Sequence, residues 1–152
     1  HTVLPTIHLG WDAIEAVHLV PFRAAIAEGV AAVMSSHVCY PGLGEPAGVP
    51  ATFSARLIRG LLRERMGFAG AIFTDDLEMG ALRAFGGIGE AAVRAAEVGH
   101  DLLLICSDLA GAEEALAALR MAYQSGRLRM QELEASVERL RTITQKFLGP
   151  TP

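Results

Sequence analysis

ARLIRGLLRERMGFAGAIFTDDL, residues 55–77, sets a helical pattern directly before a strand and ends on two carboxylates. Leu57, Ile58, Leu61, Leu62 and Met66 fall on one apolar stripe at helical spacing, and Gly67 supplies the stop just past it. Gly70 to Thr74 is then a short apolar run with polar residues behind it, the pattern of a strand buried on both faces. The same order occurs twice more. Pro21 to Glu28 has helical spacing, with Pro21 suited to a first turn and Gly29 to the stop, and leads into the run Ala31 to His37. Ile88 to Val98, closed by Gly99, leads into the run Asp101 to Ser107. Two more helices are expected, from about Ala110 to Tyr123 and from Met130 to Phe147, where Leu133, Val137, Leu140 and Ile143 share a face.

Apolar strands joined by helical crossovers imply a parallel sheet covered by helices, because parallel neighbours cannot be linked by a hairpin. The class is therefore α/β. Three parallel strands are few for such a sheet, and a closed β/α barrel takes eight strands and about 250 residues. The chain of 152 residues reads as part of something larger. No low-complexity linker or second domain interrupts it, and the stretch Gly86-Gly87-Ile88-Gly89 reads as a flexible connection.

Composition narrows the function. The chain is 51% hydrophobic and 20% charged, as for a packed globular domain. Its net charge is -4 and it has no block of Lys or Arg, which argues against nucleic acid or an anionic membrane as partner. Lys146 is its only lysine. No uninterrupted apolar stretch reaches a membrane-spanning length, and the N-terminus lacks the pattern of a signal peptide. The start on His1 leaves room for an upstream segment. Cys39 and Cys106 sit in or just after apolar runs and read as free buried thiols. His8, His18 and His100 have no paired ligand spacing, so neither a metal nor an organic cofactor is expected.

Thr74-Asp75-Asp76-Leu77-Glu78-Met79 puts two aspartates at the C-terminal end of a parallel strand, where β/α proteins hold their ligands and catalytic groups. Helix capping or an ion pair is the competing use of such a pair. Successive residues of a strand face opposite ways, so one aspartate is expected in the site and the other in a supporting or capping role.

Several separated motifs occur in a telling order. They are Val33-Met34-Ser35-Ser36-His37-Val38-Cys39-Tyr40-Pro41, then Pro46-Ala47, Pro50-Ala51 and Ser54, then Leu61-Leu62-Arg63 with Met66-Gly67-Phe68-Ala69-Gly70, then Thr74 to Met79. Together, as far as about Ser107, they resemble the β-N-acetylglucosaminidases of glycoside hydrolase family three. The resemblance implies the C-terminal portion of a (β/α)8 barrel, strands six to eight, with the earlier strands outside this numbering. It makes Asp75 the nucleophile of a retaining mechanism, in which a covalent glycosyl-enzyme forms and is released to water. The bacterial branch resembles an Asp-x-His dyad followed by Leu-Pro, and His1-Thr2-Val3-Leu4-Pro5 makes His1 the candidate acid/base. A histidine titrating near neutrality suits that exchange. His37 and Met79 become candidate substrate-binding residues, with a satisfied structural histidine and a core methionine as the plainer readings. The family's Lys-His and Phe-Pro-Gly-His-Gly elements have no counterpart in this numbering.

The expected activity is release of terminal β-linked N-acetylglucosamine from peptidoglycan fragments or chitooligosaccharides. A cytoplasmic place in peptidoglycan recycling follows from the resemblance, with secretion or a periplasmic site left open. An inactive relative or fragment that binds muropeptide or a protein is the alternative. A phospho-receiver domain also ends a strand in Asp, but it needs a lysine after a late strand, and Lys146 lies in the final helix.

Overall fold

The computed structural model describes residues 4–149. A short helix α1 (Trp11–Ala13) passes through a π-helical turn (Ile14–His18) into α2 (Leu19–Ala27), and β1 (Ala32–Met34) follows. After 3-10 turns at Pro41–Leu43 and Ala51–Phe53, a π-helix (Arg56–Arg65) leads into β2 (Ala71–Phe73). A 3-10 segment (Gly80–Phe85), α3 (Gly87–Val98), α4 (Leu109–Gln124) and α5 (Met130–Leu148) complete the order.

Strands β1 and β2 run parallel, with Ala32 opposite Ala71, Val33 opposite Ile72 and Met34 opposite Phe73. The third expected strand, Asp101 to Ser107, contracts to one parallel bridge between Phe73 and Leu102. Side chains take its ladder donors. The Ile72 N–H goes to the Asp101 carboxylate at 2.8 Å and the Leu104 N–H goes to the Thr74 hydroxyl at 3.0 Å. Backbone bonds Asp101 N–H to Ile72 at 2.7 Å, Thr74 N–H to Leu102 at 3.1 Å and Leu77 N–H to Leu104 at 2.9 Å still hold the segment beside β2.

Three other expectations shift. The helix before β1 starts ahead of Pro21, which lies two residues inside α2 and just after the π turn. Proline has no N–H to give to an upstream carbonyl, and a widened turn is one way to take that loss. Gly86 to Gly89 is an ordered helix start: Gly86 is left-handed (φ 103°) and α3 begins at Gly87. Gly89 approaches α4 so closely that an added Cβ would lie 3.0 Å from the Ala118 Cβ. Cys39 is buried as expected, whereas Cys106 is exposed, because it lies in the loop beyond the last backbone contact with β2.

The sheet has two unlike faces. Val33 and Ile72 pack with Ile58, Phe68, Val98, Ile26 and Leu62 under the helices. On the other face Met34 and Leu102 are 50% and 43% exposed, flanking a half-buried Phe73. At the N-terminal end of the strands, the fully buried Asp101 carboxylate binds Arg63 of the π-helix and both Ser136 and Arg139 of α5. This joint locks the floor of the sheet at the end opposite Asp75 and Asp76.

Candidate active site

The segments leaving β1, β2 and the Leu102 bridge converge at the C-terminal end of the sheet. Asp75 is half-buried, and its Oδ1 accepts the Asp76 N–H at 2.8 Å. Among the described residues its Oδ2 has no hydrogen-bond partner. Asp76 plays the second part expected of the pair: its Oδ1 accepts the Glu78 N–H at 3.1 Å, a side-chain cap on the turn that follows. One carboxylate is thus aimed by its neighbour's amide while the other shapes the turn.

His37 lies beneath this turn, 3% exposed. Its Nε2 meets the Asp76 carbonyl at 2.9 Å, and a carbonyl only accepts, so Nε2 carries the hydrogen. Its Nδ1 lies 2.6 Å from the Thr52 hydroxyl, which is buried and also 3.2 Å from the Ser36 carbonyl. Both ring nitrogens are taken up within the protein. Met79 is half-buried where the turn enters the 3-10 segment, and its N–H donates to the Asp76 carbonyl at 3.2 Å.

His1 lies outside the described residues. From Pro5 on the chain is docked at this end of the sheet: the Pro5 carbonyl accepts the Cys39 N–H and the Ile7 N–H reaches the Cys39 carbonyl, both at 2.9 Å. Leu4 packs on the cluster of Phe53, Leu77 and Leu82, two residues from Asp75 along the chain at Leu77.

Two features at this end of the sheet are not legible in the linear pattern. Glu78 sends its carboxylate to the loop Cys106 to Asp108, and its hydrogen bonds, led by the Ser107 amide and hydroxyl, hold it below the usual glutamate range. Its place between Asp76 and Met79 was the available signal, but its partners lie 28 residues and more away. The Cys106 thiol is pushed up by desolvation and then by the nearby carboxylate of Asp76, with Glu78 and Asp75 adding to the effect. It stays protonated near neutrality. Among the described residues no group of three His, Cys, Asp or Glu side chains is placed to hold a metal, and no helix is long and apolar enough to cross a membrane.

The sequence profile of the Glycosyl hydrolase family 3 N terminal domain matches residues 1–143. A beta-hexosaminidase of Nitrosomonas eutropha is 39% identical over 112 residues, which is 74% of this chain and 31% of that protein. One from Neisseria gonorrhoeae is 43% identical over 107 residues, 70% of this chain and 29% of that protein. Among solved structures, a glycoside hydrolase family 3 beta-N-acetylglucosaminidase from Paenibacillus sp. superposes with a TM-score of 0.94 at 41% identity. That match covers 100% of this chain and 29% of the other. The chain thus spans about a third of the length of the curated relatives it matches. Its helix-then-strand order, its parallel β1–β2 pair and these matches lead to one assignment: the chain belongs to glycosyl hydrolase family 3 and has that family's TIM-barrel type of α/β fold.

Proposed function

We propose that the protein is a retaining glycosidase that releases terminal β-linked N-acetylglucosamine from peptidoglycan fragments or chitooligosaccharides. The observation that carries this reading is Asp75. It sits at the C-terminal end of a parallel strand, half-buried, with Oδ1 fixed by the Asp76 amide and Oδ2 without a protein partner among the described residues. A carboxylate so aimed can attack an anomeric carbon, form a glycosyl ester and pass the sugar to water. The beta-hexosaminidases and the beta-N-acetylglucosaminidase named above support the choice of sugar.

In this reading His1 serves as acid and then base, and the docking of Leu4 and Pro5 beside the Asp75 end supports its reach. Met79 lines the sugar site. His37 acts as a positioning residue and not as a sugar contact, since its ring is buried and both nitrogens are engaged. Residues 1–152 form the C-terminal part of one catalytic barrel. The uncovered apolar face bearing Met34 and Leu102 supports that part, as an interior face that earlier strands would close.

The test uses the full-length protein with an aryl N-acetyl-β-glucosaminide and a 5-fluoro-N-acetylglucosaminyl fluoride. Turnover by the wild type, with a glycosyl adduct mapped to Asp75, is the expected result. An adduct on another residue, or no turnover by a folded and complete protein, overturns the reading.

A further inference from the structure

The catalytic steps above make no use of Glu78, yet its carboxylate is saturated by one loop. Oε2 accepts the backbone N–H groups of Cys106 at 2.6 Å and Ser107 at 2.7 Å. Oε1 accepts the Ser107 hydroxyl at 2.8 Å and the Asp108 N–H at 3.0 Å. Three consecutive amides therefore close on a single anion, the arrangement of a backbone nest. The main chain of Glu78 faces the other way, donating its N–H to Asp76 at 3.1 Å. One residue thus joins the turn that aims Asp75 to the loop that follows the Leu102 bridge.

Apolar packing ends at Ile105, which lies on the cluster of Phe53, Leu77 and Leu82. Cys106, Ser107 and Asp108 are all exposed. The loop's polar anchors are Glu78 and the first turn of α4, where the Ala112 N–H reaches the Asp108 carbonyl at 2.9 Å. Global stability owes little to such an exposed segment, whereas its position owes most to the carboxylate.

We infer that Glu78 is a positioning residue of the Asp75 site, holding the Cys106–Asp108 loop as the wall of the sugar pocket on the side of the third strand. The inference rests on the reading of Asp75 as nucleophile. Asp75 itself is aimed by the Asp76 amide, so loss of the wall weakens sugar binding while the nucleophile stays in place.

The experiment compares wild type and Glu78→Gln in the full-length protein. Glutamine keeps one accepting oxygen but sets an NH2 donor against the other half of the nest, so it holds the loop more weakly. The expected result is amide exchange at residues 106–108 faster by about tenfold, KM raised by about tenfold, kcat within about threefold and an unchanged melting temperature. Formate, which can fill the vacated nest, lowers KM again in Glu78→Ala. If Glu78→Gln fails to fold, Ser107→Ala removes a single donor and is expected to shift exchange and KM in the same direction. Unchanged exchange, or faster exchange with unaltered KM, overturns the proposal. Full activity of Asp75→Asn counts against the nucleophile instead, and the exchange data then still decide whether Glu78 holds the loop.

Discussion

The Nε2–H of His37, three residues past β1, donates to the backbone carbonyl of Asp76, three residues past β2, at 2.9 Å. The segments leaving two neighbouring strands are therefore joined beneath the carboxylate pair, and Thr52 completes the link from the other side of the ring at 2.6 Å. Thr52→Val keeps the shape and removes that partner, leaving a buried Nδ1 unpaired. The expected cost is about 1–3 kcal/mol of folding free energy, read from the urea midpoint. A variant as stable as the wild type would show that the hydroxyl contributes nothing to the clamp.

The two aspartates are expected to separate cleanly. Asp75→Asn removes the attacking charge and should lower turnover by at least roughly a thousandfold. Asp76→Asn retains an amide oxygen for the Glu78 N–H and should cost on the order of tenfold, with the fluorosugar adduct still forming on Asp75. Reversed effects would exchange the roles of the two residues.

His100 makes stability depend on pH. Its Nδ1–H donates to the Ala95 carbonyl at 3.0 Å, its Nε2 lies 2.8 Å from the Ser35 hydroxyl, and burial pushes its pKa down to about 4. The unfolded chain binds this proton near pH 6.5 and the folded chain only near 4. The stabilisation is therefore complete above about pH 6.5 and is lost as pH falls through that window, by roughly 3 kcal/mol. His100→Asn keeps a donor and an acceptor without the titration. Melting curves between pH 7 and pH 4 should be flatter for it, and equal slopes would remove His100 as the cause.

The Asp101 joint is a matter of folding and not of chemistry. Its side chain is fully buried and meets Arg63 and Arg139, whose side chains are 17% and 30% exposed. Burial presses the Arg63 pKa down and Asp101 opposes that shift. Asp101→Asn leaves two guanidinium groups facing a neutral amide, at an expected cost of about 3–5 kcal/mol. Equilibrium denaturation measures it. The fraction of protein that remains folded should show normal KM, since Asp75 lies at the opposite end of the sheet.

Much of this was legible in the linear chain. The stripe Leu57, Ile58, Leu61 does face the core, and Asp75 does sit just beyond β2. Period and punctuation carry such information because they are properties of neighbouring residues. The third strand did not follow its apolar run, since Asp101 and Thr74, each remote from the amide it accepts, take donors that the ladder would have used. Cys106 looked buried for the same reason: a run of apolar letters does not say where the backbone leaves the sheet.

Sequence alone determined the α/β class, the parallel pair and the aspartates at a strand end, because helix and strand periodicities and strand-end placement are local. Tertiary structure alone decided which groups meet Asp75 and Asp76. His37 reaches Asp76 across 39 positions and Glu78 reaches Cys106 across 28. Hydrogen bonds at such separations depend on how the sheet brings strand ends together, which no local pattern encodes.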